Sequence, residues 1–448
     1  MKLLSRIKTL FSGIRRPPPA RRSSLLYHYL RRDGEAQTRL HLRLDPDGRG
    51  TLIVNASRIY HLNPTAALMA RLALEKTPEP QAIKTIRRAY RVSLTQARAD
   101  WQAFNRQFDD LLRPDGLCPI HDLGLEVIAP FSARPAAPYR LDLALTYRCN
   151  NDCAHCYNVE GRELQELTTD QWKCVLDRAW ELGIPHIVFT GGEPTLREDL
   201  PALIAHAESN GQITGLNTNA RRLADPRYLE RLVAAGLDHV QITLESCDPE
   251  VHNRMVGARA FEQTVRGLKN ALASRLFVMT NTTMLRTNVH TVPATLDFLA
   301  ELGVPTVGLN ALIYAGRGQT VGTGLDEREL APLLEIARQK TEAHGQRLIW
   351  YTPTRYCHFN PLSLNLGVKG CTAALYNMCV EPNGDVLPCQ SYYVPLGNFL
   401  TDDWNAIWNH PLALRLRERQ GLPEMCRDCS WRLECGGGCP LQYSDDGH

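Results

Sequence analysis

The segment LDLALTYRCNNDCAHCY, residues 141–157, joins a short apolar run directly to three cysteines. The run has the length of a buried β-strand, and helix-like stretches alternate with similar runs downstream. Cys149, Cys153 and Cys156 then lie in the loop that follows a strand, which is where parallel α/β barrels place their active sites. This segment therefore predicts both the kind of fold and the position of a reactive centre.

Six apolar runs of this type occur between residues 139 and 312. They are LDLALT (141–146), HIVFT (186–190), ITGLNT (213–218), HVQITL (239–244), FVMTNTTML (277–285) and TVGLNAL (306–312). Each of the first five precedes a plausible helix, so the runs are typical of strands in parallel βα units. Such units close, or nearly close, into a barrel. The prediction is an α/β fold in which residues 138–350 form a partial (β/α)6 barrel.

The spacing C-x3-C-x2-C allows one loop to place three thiolates at three corners of an iron–sulfur cube. The fourth iron would then have no protein ligand, and an open coordination position is where a reactant binds. This arrangement resembles the radical S-adenosylmethionine (radical SAM) superfamily, whose motif carries an aromatic residue before the last cysteine; His155 stands there in this chain. A zinc site with a remote fourth ligand is the alternative.

A second match to the radical SAM pattern follows the run HIVFT. It is the turn Gly191, Gly192, Glu193 and Pro194. Glycines let the backbone approach a ligand closely, and a carboxylate can accept a hydrogen bond from an ammonium group. The resemblance implies that this turn binds the methionine amino group of SAM. It also implies contacts to the ribose and carboxylate of SAM from three weaker positions, Asn219, Thr243 and Glu245.

The resemblance implies a definite chemistry. An electron from a donor such as flavodoxin or ferredoxin would reach the [4Fe–4S] cluster and split SAM into methionine and a 5′-deoxyadenosyl radical. That radical would abstract hydrogen from a substrate, while the protein orients the reactants and excludes water.

A second group of cysteines near the C-terminal end resembles the SPASM extension of peptide- and protein-modifying radical SAM enzymes. Its pattern is Cys371-x12-Gly384-x4-Cys389, then Cys426-x2-Cys429-x5-Cys435-x3-Cys439. The resemblance implies one auxiliary cluster on Cys371, Cys389 and Cys439, with Cys379 as fourth ligand. It implies a second on Cys426, Cys429 and Cys435. Residues 351–448, which show little periodicity, are therefore predicted to be a SPASM iron–sulfur domain.

The fourth ligand of the second auxiliary cluster stays open at this point, because the final cysteine of the SPASM pattern is absent. Cys357, Asp445, Asp446 or His448 could complete the cluster, or one iron could stay open for substrate. A pair of zinc knuckles is the alternative, since C-x2-C spacing also suits zinc.

Residues 24–115 are predicted to form a separate α+β domain. The runs RLHLRL (39–44), TLIV (51–54) and RIYHL (58–62) predict three strands, and three helices follow from Pro64 onward. The module resembles the RiPP recognition element, the winged-helix-like domain that binds the leader of ribosomally made and modified peptides and is best known from the chaperone of pyrroloquinoline quinone biosynthesis. The resemblance implies a precursor-peptide partner, whose leader adds a strand to the sheet edge. A DNA-binding winged helix is the alternative.

Basic residues of this domain could attract an acidic leader: Arg58, Arg87, Arg88 and Arg91. Over the whole chain, 51 Lys+Arg against 48 Asp+Glu give a net charge of +3, which makes no case for nucleic acid as a partner. No apolar run approaches the roughly 20 residues of a membrane-spanning helix. Fourteen cysteines without an export signal favour a reducing compartment, so a cytoplasmic location is expected.

Two further stretches complete the predicted organisation. Residues 1–23 are a basic tail, in which Arg6 and Lys8 interrupt what would be the apolar part of a secretory signal. Residues 1–16 place apolar side chains on one helical face, which a membrane surface could bind. Residues 116–137, rich in Pro and Gly, are predicted to be a linker.

The sequence thus predicts a peptide maturase, a radical SAM enzyme that abstracts hydrogen from a ribosomally made precursor peptide. The modification would be a crosslink, a thioether or an epimerisation. One alternative is a SPASM-type oxidase of a folded protein or of a small molecule such as a tetrapyrrole. The other is a non-catalytic iron–sulfur or zinc binding module.

Overall fold

The computed structural model describes residues 25–33, 36–55, 58–112, 134–158 and 164–442. The chain divides into two compact units, Met1–Ala129 with Trp180–Pro185, and Pro130–Ala179 with His186–His448. The predicted basic tail and most of the predicted linker lie outside the described residues. The candidate ligands Asp445, Asp446 and His448 lie outside them as well.

The first unit contains an antiparallel sheet followed by three helices. The strands, in sheet order, are β1 (Leu25–Asp33), β2 (Ala36–Leu44), β3 (Gly50–Val54) and β4 (Arg58–Leu62). The helices are α1 (Pro64–Leu74), α2 (Glu79–Ala89) and α3 (Leu94–Leu112). The sequence analysis predicted three strands and missed β1. Its sequence, LLYHYLRRD, mixes apolar and polar residues without clear alternation. This strand is held by its pairing with β2, from Leu25↔Leu44 to Asp33↔Ala36.

One core joins the sheet and the helices of this unit. Leu42 and Leu52 from the sheet pack in it with Ile83, Trp101 and Phe104 from the helices. The helix starts follow from local chemistry. The Asn63 side chain accepts a hydrogen bond from the Ala66 N–H at 2.9 Å, and Pro64 occupies the first turn of α1.

The second unit is built on one nine-stranded sheet. Its strands are β5 (Arg140–Thr146), β6 (His186–Gly191), β7 (Ile213–Thr218), β8 (His239–Thr243), β9 (Phe277–Thr283), β10 (Thr306–Asn310), β11 (Arg347–Trp350), β12 (Asn377–Val380) and β13 (Val386–Leu387). The order across the sheet is β11-β10-β9-β8-β7-β6-β5-β12-β13. All six predicted barrel strands are present and parallel.

Helices connect these strands and follow them. They are α4 (Thr169–Glu181), α5 (Leu200–Asn210), α6 (Pro226–Ala234), α7 (Pro249–Val256), α8 (Phe261–Leu272), α9 (Val292–Glu301), α10 (Glu327–Ala343), α11 (Trp404–Trp408), α12 (Pro411–Arg417) and α13 (Arg432–Cys435). The α/β prediction with a partial barrel is therefore confirmed.

The sheet differs from the predicted one at both edges. A seventh parallel strand, β11, pairs with β10, and the hairpin β12–β13 extends the opposite side through parallel pairing of β12 with β5. Among the described residues the outer strands β11 and β13 pair on one side only, so the barrel is open. The sheet thus continues across the predicted boundary at residue 350.

The carboxyl ends of the parallel strands lie along one edge of the sheet. Six of them end at Thr146, Gly191, Thr218, Thr243, Thr283 and Asn310. The loop that follows β5 and the turn that follows β6 are therefore neighbours. No helix in the described part of the chain is both long and apolar enough to cross a membrane.

Candidate active site and iron–sulfur sites

The loop after β5 carries the first three cysteines and is fixed to the end of α7. The N–H of Asp152 donates to the Val256 carbonyl at 2.9 Å, and the N–H of Ala154 donates to the Met255 carbonyl at 3.1 Å. At Gly257, which has φ +61°, a Cβ would lie 2.2 Å from the Asp152 carbonyl oxygen. Only glycine allows this close approach, so the sequence of α7 helps to set the shape of the cysteine loop.

The predicted Gly191-Gly192 turn packs against the entrance to the same loop. The Gly192 N–H donates to the Thr146 carbonyl at 2.7 Å, and the next N–H, of Glu193, donates to the Arg148 carbonyl at 2.9 Å. A Cβ would lie 2.2 Å from the Thr146 oxygen at Gly191 and 2.4 Å from the Arg148 oxygen at Gly192. Both glycines are required by contacts within the protein, before any ligand is considered.

Glu193 is only 1% exposed, and its carboxylate is bonded inside the protein. Oε1 accepts from the Thr195 N–H at 3.1 Å, the Thr195 hydroxyl at 2.6 Å and the Thr218 hydroxyl at 2.7 Å, and Oε2 accepts from the Asn219 N–H at 2.8 Å. Burial raises the pKa of Glu193, and these hydrogen bonds oppose the rise. Oε1 receives three donors and Oε2 receives one, so Oε2 keeps an acceptor site. That this turn binds an ammonium group stays a prediction.

His155 and Glu245 form a pair that the sequence did not predict. Nε2 of His155 lies 3.0 Å from Oε1 of Glu245, while Oε2 accepts from the Thr283 N–H at 2.8 Å. The Glu245 N–H donates to Nδ1 of His252 at 3.2 Å. This buried carboxylate therefore connects the cysteine loop to the ends of β8 and β9.

The two other predicted contact positions lie at the same edge of the sheet. Nδ2 of Asn219 donates to Oδ1 of Asn150 in the cysteine loop at 2.7 Å. The next residue, Ala220, has φ +60°, in the left-handed region that residues other than glycine seldom adopt. Thr243 is the last residue of β8 and is partly exposed. All predicted SAM-contact positions are thus near the cysteine loop or at the strand ends beside it.

Three tyrosines near this site were not predicted. The Tyr393 hydroxyl donates to Oδ1 of Asn158 at 3.1 Å, and Nδ2 of Asn158 donates to the Gly191 carbonyl at 3.0 Å. The Tyr147 hydroxyl donates to Oε1 of Glu381 at 2.7 Å. Burial raises the pKa values of Tyr147, Tyr157 and Tyr393, so all three phenols stay protonated near neutral pH. In the sequence, only their spacing of one to four residues from motif cysteines could have suggested them.

The predicted ligands of the first auxiliary cluster lie close together. Desolvation raises the pKa of Cys371 to about 12, with the Cys389 thiol as the next cause. The pKa of Cys439 is raised by desolvation and then by the thiols of Cys371 and Cys389. The three thiols are therefore close enough to interact electrostatically.

Cys379 lies on β12, where it pairs with Asp142 of β5. Its side chain packs with Ala144 and Leu387. Burial raises the pKa of Cys379 well above its usual value, and the Cys389 thiol contributes to the rise. Cys379 pairs with Leu387, two residues before Cys389, and its ligation stays a prediction.

The donor chemistry of these groups fits iron–sulfur clusters, since each group supplies cysteine thiols. In the described ranges, no three His, Cys, Asp or Glu side chains converge on the position of one metal ion. A cubane cluster binds each thiolate through a different iron atom, so it does not require such convergence.

Comparison with known proteins gives matches over both regions. Residues 143–311 match the radical SAM superfamily, and residues 371–430 match SPASM, an iron–sulfur cluster-binding domain. A PqqA peptide cyclase of Streptomyces rochei is 31% identical over 316 residues, which are 68% of this chain and 85% of that protein. An Fe-coproporphyrin III synthase of Methanosarcina barkeri is 28% identical over 328 residues, 65% of this chain and 81% of that protein.

The fold also matches a solved structure over most of its length. The crystal structure of Streptococcus suis SuiB bound to precursor peptide SuiA has a TM-score of 0.67 with 16% identity. The match covers 93% of this chain and 96% of SuiB.

Proposed function

This chain belongs to the radical SAM superfamily and carries a SPASM domain, and we propose that it modifies a ribosomally made precursor peptide. It is an iron–sulfur enzyme that uses [4Fe–4S] clusters and SAM. The observation that carries the proposal is the 31% identity to a PqqA peptide cyclase over 85% of that protein. The modification would be a crosslink, a thioether or an epimerisation.

The side chains of the site have distinct roles in this proposal. Cys149, Cys153 and Cys156 would hold the first cluster, which together with SAM supplies reductive cleavage and hydrogen abstraction. Glu193 holds the turn after β6 in place through its four hydrogen bonds. Glu245 orients His155 and, with it, the cysteine loop. An electron donor such as flavodoxin or ferredoxin would reduce the first cluster.

Residues 24–115 would act as a leader-binding domain. In the described part of the chain, β4 pairs only with β3, so its other edge can accept a peptide strand. A groove of about 420 Å³ lies between α2 and α3, lined by Pro80, Ile83, Lys84, Arg87, Arg88 and Leu94. It combines apolar walls with three cations. These features suit a leader that presents apolar and acidic side chains.

The direct test uses the reconstituted full chain under anaerobic conditions. Short peptides encoded beside the gene are incubated with the enzyme, SAM and a reductant. We expect 5′-deoxyadenosine to form, together with a peptide that has lost two hydrogen atoms or that contains a D-residue after hydrolysis. Formation of 5′-deoxyadenosine without a change in any such peptide would contradict the peptide substrate.

A tetrapyrrole substrate is the second candidate, because a curated relative is an Fe-coproporphyrin III synthase. The same incubation with a tetrapyrrole precursor of iron coproporphyrin III distinguishes the two. Formation of iron coproporphyrin III, with every peptide unchanged, would favour this second function.

A further inference from the structure

A short segment outside the SPASM cysteine pattern contacts the second group of cysteines. The Tyr356 N–H donates to Sγ of Cys435 at 3.4 Å, and the Cys435 thiol donates to the Thr354 carbonyl at 3.6 Å. Hydrogen bonds to cysteine sulfur are typical of iron–sulfur ligands, whose reduction potentials they help to set. This segment therefore forms one wall of the site around Cys435.

Cys357 follows Tyr356 directly, so their Cα atoms are about 3.8 Å apart. Two contacts hold Tyr356 in place. Its ring packs on Trp431 with 5.9 Å between centroids, and its hydroxyl accepts from the Lys369 N–H at 2.9 Å. These contacts of Tyr356 hold the backbone next to Cys357 against Cys435.

The other two cysteines of the group belong to the same neighbourhood. The Cys429 N–H donates to the Cys426 carbonyl at 3.4 Å in one turn of chain. The Arg432 N–H donates to the Cys429 carbonyl at 3.1 Å, and the Cys435 N–H donates to the Trp431 carbonyl at 2.8 Å, so these cysteines lie on consecutive turns of one short segment. Cys357 and Cys429 are both exposed, and the Tyr356 contact brings the segment of Cys357 to Cys435.

We propose that Cys357 is the fourth protein ligand of an auxiliary iron–sulfur cluster held by Cys426, Cys429 and Cys435. Four thiolates complete a cubane, whereas three leave one iron open. The open alternatives were Asp445, Asp446, His448 and a vacant iron. The Cys357 assignment is supported by the contact of its own segment with Cys435, and it is independent of the substrate.

The first test uses the unaltered holoenzyme. An exposed free thiol reacts quickly with iodoacetamide, whereas a thiolate bound to iron is protected. Cys174 is exposed on α4 and provides an internal control in the same sample. We expect mass spectrometry to find Cys174 alkylated and Cys357 unmodified, until a chelator removes the iron. Equal labelling of Cys357 and Cys174 in fully loaded protein would overturn the proposal.

The second test counts iron and sulfide in variants of the full chain. Replacement of Cys149, Cys153 and Cys156 by alanine should leave about eight irons, in two auxiliary clusters. Adding Cys357→Ala should lower the count to about four or give the electron paramagnetic resonance signal of a three-iron cluster. Cys174→Ala should keep about eight irons.

Further variants distinguish the competing ligands. Asp445→Ala, Asp446→Ala and His448→Ala should keep the iron count and the resonance signal of the parent protein. Loss of a cluster in one of these, with Cys357→Ala unchanged, would assign the fourth ligand elsewhere. Zinc instead of iron at the site would also refute the proposal. The alkylation result stands even if Cys357→Ala folds poorly, because it uses the unaltered chain.

Discussion

Nε2 of His155 lies 3.0 Å from Oε1 of Glu245, although 90 positions separate the two residues in the chain. The histidine is in the loop of the first three cysteines, and the carboxylate is held by the Thr283 N–H. The pair therefore fixes the orientation of the residue next to Cys156 from the opposite side of the site. A defect in this contact should change the environment of the first cluster.

Glu245→Gln should slow the reductive cleavage of SAM about tenfold, which is about 1.4 kcal/mol and lies within the roughly 1–3 kcal/mol that an impaired buried polar contact costs. The electron paramagnetic resonance spectrum of the reduced first cluster should shift as well, because the cysteine loop is no longer oriented. Glu250→Gln, at an exposed position on α7, is the matched control. If Glu245→Gln and Glu250→Gln gave the same rate and spectrum, the positioning role would be wrong.

Glu193→Gln should destabilise the turn after β6. The amide replaces one acceptor oxygen with a donor group, so some of the hydrogen bonds from Thr195, Thr218 and Asn219 are lost. The expected cost is about 2 kcal/mol in the free energy of unfolding, measured with urea. SAM binding, measured by equilibrium dialysis, should weaken in parallel. Glu198→Gln, at an exposed position nearby, should change neither quantity.

The stability of the second unit should fall below pH 6.5 because of His239. Burial, and then the charge of Arg140, lower the pKa of His239 from 6.5 to about 4. The folded protein therefore keeps this imidazole neutral, while the unfolded chain takes up a proton as the pH falls below 6.5. Stability is lost between pH 6.5 and 4, by up to about 3 kcal/mol, and the loss levels off below pH 4.

The measurement is the thermal midpoint at a fixed scan rate from pH 7.5 to pH 4.5. His239→Gln should reduce the decrease on acidification, whereas His290→Gln, at an exposed position, should leave it unchanged. An undiminished decrease in His239→Gln would show that other groups cause the acid sensitivity.

Charge reversal in the groove between α2 and α3 should weaken leader binding if the proposed function is correct. Lys84→Glu with Arg88→Glu changes two of the three cations that line the groove. We expect at least a tenfold loss of affinity for an acidic leader peptide at low salt, and a smaller loss at high salt, because screening weakens exposed charges. Fluorescence anisotropy measures the affinity at both salt concentrations.

The control for this variant is Arg227→Glu, which changes an exposed cation on α6. It should leave leader affinity unchanged, and both variants should keep the uncoupled cleavage of SAM. If the parent chain, the double variant and Arg227→Glu bound the leader with equal affinity, the groove would not be the leader-binding site.

The sequence predicted the barrel well because the central strands are short runs rich in apolar and β-branched residues, as in HIVFT before Gly191. It missed β1, whose pairing with β2 compensates for its mixed pattern, and it missed β11, whose four residues RLIW are too short for a periodicity. The hairpin β12–β13 was hidden for a similar reason. Its place depends on hydrogen bonds to β5, far away in the chain.

In the candidate site, likewise, the sequence predicted local patterns but not the contacts between distant residues. The cysteine loop and the Gly191-Gly192 turn are local patterns and were predicted from adjacent residues. The partners of Glu193 and Glu245 come from other strands, so no local pattern reveals them. The left-handed backbone of Ala220 was not predicted either, because an alanine carries no sequence signal for it.

The parallel pairing of β12 with β5 has a consequence for electron flow. The strand that leads to the first cysteines is bonded by its backbone to the hairpin that precedes Cys389. With a cluster on Cys389, as predicted, the distance from the first cluster would be set by this backbone ladder and would not depend on a flexible tether. A longer connection between β11 and β12 should then leave the rate of electron transfer between the two clusters unaltered, whereas a proline that breaks the ladder should slow it.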